Sequence, residues 1–303
     1  MSTYSVVIFG IHLRIRPVAF TLPIGKDGWD IYWYGIIIAT GFLLAILYGA
    51  KNAGRLNINF DKLLDVVLIT TPVAILCART YYVIFDGEKS ISGISEFFGF
   101  GTNSGFSGLA IYGGIIGAAV CGTLMCKFKK INVLDALDLA SISFLIGQGI
   151  GRWGNFMNQE AYGSFTGSSF WGMQSERTVL EMGEGLVHPC FLYESVWCIA
   201  GFFVLHRLSK KRLFSGEVAL YYCIWYGFGR AIIELLRTDS LMLGPIKISC
   251  ALSLLICLSS VITLIVIKKK MANSVENYAY VEVFSSVENN DNQISMQKED
   301  NNE

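Results

Sequence analysis

The chain has 303 residues, 53% of them hydrophobic and 16% charged, with a formal net charge of zero and a mean hydropathy of +0.49. Soluble domains carry nearer a quarter charged residues, so an ordinary soluble fold is excluded. The charge that is present collects in short patches between apolar runs, which predicts an all-α polytopic membrane protein.

Spanning the hydrocarbon takes about 20 mostly apolar residues as a helix. Residues 31–50, 63–85, 107–126, 133–150, 190–207, 217–236 and 248–267 approximate that length and predict seven transmembrane helices. Ahead of them, residues 1–27 carry Arg14, Arg16 and Lys26 and lack a clean apolar stretch before a small-residue cleavage site. The first span is therefore expected to act as an uncleaved insertion signal. Basic residues gather after the first span (Lys51, Arg55, Lys62), the third (Lys127, Lys129, Lys130), the fifth (Arg207, Lys210, Lys211, Arg212) and the seventh (Lys268, Lys269, Lys270). Short basic loops mark the cytoplasmic side, so the N-terminus is expected outside and the C-terminus in the cytoplasm. The basic N-terminal segment is the one dissent.

In the third span, Gly113 and Gly117 form a G-x-x-x-G pair, which predicts close helix packing. Tyr112 beside them reads either as a buried aromatic or as a polar group lining a cavity. The fourth span runs into "GRWGNFMNQEAYG" at 151–163, which opens the longest connection, roughly 151–189. Long connections of this kind tend to be functional. Arg152 and Asn155 share a face if the helix continues through Gly151. "HPCFLYES" at 188–195 then puts His188 just before the fifth span and Glu194 inside it.

The sixth span carries Tyr226, Arg230, Glu234 and Arg237, spaced so that all four fall on one helix face. Ionisable groups in a span cost several kcal/mol and are functional candidates by default. An Arg230–Glu234 structural pair is the plainer alternative. Together Arg152, Arg230 and Arg237 suggest an anion site, since guanidinium forks suit phosphate. The eight cysteines fall within or beside apolar runs without metal-ligand spacing, and read as small packing residues. The tail, 271–303, is Asn-, Ser- and Glu-rich and is expected to be disordered, leaving 1–270 as the membrane domain. No G-x-S-x-G, H-E-x-x-H or phosphate-loop lysine motif is present.

These residues resemble a known family. "GRWGNFMNQEAYG" matches every fixed position of the signature of the bacterial prolipoprotein diacylglyceryl transferases, Gly-Arg-x-Gly-Asn-Phe-x-Asn-x-Glu-x-x-Gly. "YWYG" at 32–35, "HPCFLYE" at 188–194 and "YGFGRAIIELLR" at 226–237 concur, over approximately residues 20–270. One departure is Tyr112, where many members have a histidine considered catalytic.

The resemblance implies transfer of the diacylglyceryl group from phosphatidylglycerol to the lipobox cysteine of a prolipoprotein signal peptide. It also implies a bacterial cell-membrane location. Arg152 and Arg230 are then expected at the phosphate, with Asn155, Asn158, Glu160 and Gly163 shaping the head-group pocket. Tyr34, Glu194, Tyr226, Glu234 and Arg237 complete the polar lining, and the proton acceptor is left open between Tyr112, His188 and a carboxylate. The expected partners are the lipid, the signal peptide and the bilayer. No metal, organic cofactor or nucleic acid is expected. A transporter or channel for an anionic solute is the rival reading, although the spans show no evident inverted repeat.

Overall fold

The computed structural model describes residues 3–23, 28–85, 97, 110–238, 242–243 and 246–300, the last stretch with side chains to 274. Among the described residues the frame is formed by the α-helices α1 (Trp33–Asn52), α2 (Phe60–Phe85), α3 (Ile111–Phe128), α4 (Val133–Met157), α5 (Glu176–Met182), α6 (Cys190–Ser209), α7 (Glu217–Leu236) and α8 (Ile248–Asp300). Six of them, α1 to α4, α6 and α8, are long and apolar enough to cross a membrane. The predicted sixth span, α7, is a helix of 20 residues over the expected range, but it is less apolar than those six and is not among them. Most of the predicted tail lies outside the described side chains.

The expectation of a purely α chain is corrected by short strands among the described residues. β1 (Tyr4–Ile8) and β2 (Ile11–Ile15) form a hairpin, and β5 (Met173–Ser175) adds to the free side of β1. β3 (Val18–Leu22) pairs with β4 (Trp29–Tyr32), which leads directly into α1. The two-residue ribbon β6 (Met242–Leu243) and β7 (Ile246–Lys247) joins α7 to α8. The first hairpin has a plain cause. Ile11, Leu13 and Ile15 alternate with His12, Arg14 and Arg16 at the period of a strand, and Phe9 and Gly10 supply the two positive-φ positions of the turn. Ile15 and Val6 point inward to join Phe156, Tyr162, Met173 and Phe191 in a core beneath the sheet.

Helix α4 is the hub. It packs against α1, α6 and α7, whereas α2 and α3 pair chiefly with each other. The close α2–α3 approach follows from the predicted glycine pair: a Cβ on Gly113 would lie 2.5 Å from the Cys77 carbonyl oxygen, and one on Gly117 would lie 2.6 Å from Cys77 Cβ. At the end of α4 away from the sheet, Asn132 caps the first turn by accepting from the Leu134 N–H at 2.9 Å. Buried Asp138 accepts from Arg212, Gly216 and Ala219, fastening the start of α7 to α4. For Arg212, which lies between the helices, these bonds to Asp135 and Asp138 outweigh desolvation by burial and hold its pKa above the ordinary value.

Candidate active site

The apolar run ends at residue 150, but α4 continues through Gly151 to Met157. That extra stretch brings Arg152 and Asn155 onto one face, and Arg152 Nη1 donates to Asn155 Oδ1 at 3.3 Å. Gly154 leaves room for the Tyr34 ring, whose Cδ2 lies 2.9 Å from where a Cβ would stand. Tyr34 thus packs one residue from Asn155. The chain then turns sharply, with Gln159 and Ala161 at positive φ, and the Glu160 N–H donates back to the Asn155 carbonyl at 2.8 Å.

Glu194, one turn into α6 and 2% exposed, gathers the polar groups of three helices. Its Oε1 accepts from Arg152 Nη2 and from the Tyr226 hydroxyl, the latter at 2.9 Å. Its Oε2 accepts from Arg230 Nη1 at 3.1 Å. Arg230 Nη2 reaches on to Glu234 Oε2 at 2.7 Å. That contact is an ion pair without an aligned N–H, so the buried Glu234 Oε2 has no hydrogen-bond donor among the described residues. Two carboxylates and two guanidiniums balance in charge, which is what makes their burial tolerable. Each guanidinium carries five N–H donors, so both retain donors for an incoming anion. The Arg230–Glu234 pair expected as the plainer reading of the helix therefore exists, but as one edge of a larger cluster.

Two tryptophans fix α6 against α7 and hold this geometry. Trp197 Nε1 donates to the Trp225 carbonyl at 2.9 Å, Trp225 Nε1 donates to the Trp197 carbonyl at 3.0 Å, and the rings stack at 4.5 Å. Each ring occupies the space over a glycine of the opposite helix, Trp225 over Gly201 and Trp197 over Gly229. At the other end of α7, Lys247 Nζ donates to the carbonyls of Glu234, Leu235 and Arg237 at 2.9, 3.2 and 2.6 Å. A cation over the last carbonyls satisfies groups that the helix itself leaves unpaired.

The remaining predicted residues are placed around this cluster. Arg237 caps α7 and bridges to Gly163, where a Cβ would lie 2.6 Å from the Leu236 carbonyl oxygen. Gly163 therefore does permit a close backbone approach, and the backbone it meets is the chain's own. Asn158 closes α4 as its C-cap. Glu160 pairs with Arg177 at 3.2 Å, both side chains exposed, and has no bond to Glu194 among the described residues. Arg177, outside the spans, has its pKa raised chiefly by its hydrogen bond to Glu181. His188 Nδ1 lies 3.2 Å from the Tyr193 hydroxyl, which also accepts from Trp171 Nε1 at 2.8 Å. Tyr112, at the start of α3 and 39% exposed, makes no hydrogen bond among the described residues and is not joined to the Glu194 cluster.

Sequence reasoning missed Trp197, Trp225, Lys247, Trp171 and Tyr193. Only Tyr193 carried a local signal, through its place in "HPCFLYE". The tryptophan clamp and the lysine cap depend on which helices become neighbours.

Residues 17–266 match the model of a family described as prolipoprotein diacylglyceryl transferase. A phosphatidylglycerol–prolipoprotein diacylglyceryl transferase of Bacillus cereus (strain 03BB102) is 43% identical over 253 residues, covering 82% of this chain and 92% of the relative. Proteins of the same name from Bacillus cytotoxicus and Bacillus anthracis (strain CDC 684) are also 43% identical, over 79% and 82% of this chain and 88% and 92% of their own length. With that match spanning the Arg152–Glu194–Arg230 cluster, the chain belongs to the prolipoprotein diacylglyceryl transferase family, and it is a transferase.

Proposed function

We propose that the protein transfers the diacylglyceryl group of phosphatidylglycerol to the lipobox cysteine thiol of prolipoproteins, at the outer face of a bacterial cell membrane. The observation that carries this reading is the convergence of Arg152 and Arg230 on buried Glu194, with N–H donors of both left for a phosphate. In this reading α7 is the sixth of seven spans, admitted to the bilayer because its charged face is turned to Glu194 rather than to lipid. The N-terminus then lies outside with the sheet, the basic loops face the cytoplasm, and the polar tail extends from the membrane domain on the cytoplasmic side.

The reaction balances without a cofactor. The substrate thiol gives up its proton, and the sulfur attacks the glyceryl carbon that carries the phosphate ester. A carbon–sulfur bond forms as the carbon–oxygen bond breaks, and glycerol 1-phosphate leaves with one more negative charge than it carried as a diester. Preorganised guanidiniums aimed at that charge favour the transition state over the ground state. Glu194 and Glu234 hold the two arginines in place, and Asn155 fixes the second edge of the Arg152 fork. Tyr34, Tyr226 and Arg237 complete the lining, while Asn158, Glu160 and Gly163 set the turn that closes it. The proton acceptor lies between His188, held by Tyr193, and a carboxylate, with Tyr112 orienting the lipid or the thiol.

The test is incubation of the purified protein with phosphatidylglycerol and a lipobox peptide, followed by mass spectrometry. A peptide gaining one diacylglyceryl group in thioether linkage is expected. An unmodified peptide with a correctly inserted enzyme would overturn the reading.

A further inference from the structure

The family match begins at residue 17, so the β1–β2 hairpin stands before the part of the chain that family membership describes. At its open end the hairpin borders a cavity of about 920 Å³, whose lining includes Thr3, Arg14, Arg16, Trp33, Met157 and Glu176. That size falls in the range of small-molecule sites, roughly 300–1,000 Å³. Ile15 is buried in the core beneath the sheet, so Arg14 beside it takes the opposite face of β2, and Arg16, just past the end of the strand, lines the same cavity.

The charges in this cavity are unequal. Glu176 is its one carboxylate, and Oε1 of that group already accepts from the Ser5 N–H at 3.0 Å. Arg16 donates through Nε to the Thr3 hydroxyl at 3.2 Å, and Arg14 has no ion pair among the described residues. Basic residues on an edge strand also discourage sheet-to-sheet pairing. That role needs neither a concave volume nor the walls this one has. Trp33 opens α1 and Met157 closes α4, so the cavity stands where two apolar helices reach their polar ends, a level that tryptophan favours. Met157 is also one and a half turns along the same helix from Arg152.

We propose that this cavity takes a glycerophosphate group at the membrane boundary, held by the guanidiniums of Arg14 and Arg16 in a lining that includes Trp33. The proposal rests on the transferase reading, in which two species share that chemistry: the head group of phosphatidylglycerol and the glycerol 1-phosphate that leaves. Arg14 on β2 and Arg16 just past its end both line the cavity, and two guanidiniums together offer a phosphate more N–H donors than a single surface charge does.

The test compares the full chain with Arg14→Gln/Arg16→Gln, both in nanodiscs of phosphatidylcholine and phosphatidylglycerol. Native mass spectrometry counts the phosphatidylglycerol retained, and a turnover assay gives the half-saturating lipid content. One fewer retained lipid and an increase in half-saturation of about tenfold, as loss of a charge-assisted contact implies, assign the site to the lipid head group. Arg14→Lys/Arg16→Lys should recover part of both effects. An unchanged lipid count with weaker inhibition by added glycerol 1-phosphate also supports the phosphate site and assigns it to the leaving product. No change in either measurement overturns the proposal. So does an effect confined to the half-saturating concentration of the lipobox peptide, which would give the cavity to the polypeptide. Lipid retention is read without turnover, so a parent that held the lipid but transferred nothing would sink the transferase reading alone.

Discussion

Arg152 and Arg230, like charges from different helices, are held on the two oxygens of one buried carboxylate, Glu194. The arrangement sets the spacing of two guanidiniums before any substrate arrives. Removing the shared carboxylate leaves both arginines unbalanced, and breaking a buried ion pair by deleting one partner costs about 3–5 kcal/mol. Glu194→Gln keeps the shape and one acceptor oxygen. It should lower turnover by about a hundredfold, the scale of losing one preorganised electrostatic contact. It should also lower the thermal midpoint in detergent. Turnover within a few-fold of the parent would remove Glu194 from its positioning role.

Arg230 uses both prongs of its fork, one on Glu194 and one on Glu234. A lysine is a point charge on a flexible stem and reaches one of them well. Arg230→Lys and Arg152→Lys should therefore both lose most activity while remaining inserted, as read by transfer assays on purified protein. Near-normal transfer by either variant would show that charge alone suffices.

The tryptophan clamp predicts a stability effect remote from the chemistry. In Gly229→Ala the new methyl group meets the Trp197 ring, and overpacking of this kind costs about 1–3 kcal/mol. Thermal unfolding in detergent should show the loss, and Trp197→Phe added to Gly229→Ala should recover part of it by shrinking the ring. Independent, additive effects would mean that the two groups do not press on each other.

The thiol in the proposed reaction belongs to the substrate. Cys126, Cys190 and Cys198 are buried among other side chains, and the other five are partly buried. A variant with all eight changed to Ala or Ser should still transfer lipid, with lower stability from the three buried positions. A folded variant with no activity would argue instead for a covalent enzyme intermediate.

Tyr112 stands apart from the Glu194 cluster, whereas His188 is held by Tyr193. If Tyr112 orients a substrate, Tyr112→Phe should lower the plateau of the pH–rate profile and leave its shape unchanged. His188→Gln should alter the shape. A profile that changes shape in Tyr112→Phe alone would make Tyr112 the proton acceptor.

Much of the architecture was legible because it rests on local physics. Apolar runs long enough for a bilayer located the helices, and Gly113 and Gly117 announced the α2–α3 contact because close approach needs missing side chains. The stripe of Tyr226, Arg230 and Glu234 was visible from helical spacing alone. The hairpin at residues 4–15 was written in a period-two alternation that composition obscured, since strands so short do not register against spans of about 20 residues. What tertiary structure decided was the pairing. Glu194 and Arg152 are 42 residues apart and Glu194 and Arg230 are 36 apart, and no local rule says which charge in one helix will meet which in another. The same holds for Glu160, which shares the signature with Arg152 yet turns to Arg177 because α4 ends between them and the chain reverses at Gln159. Spacing determines which residues share a helix face. Only the packing of α4, α6 and α7 determines what that face sees, because a buried charge takes its partner from whichever helix the apolar contacts bring beside it.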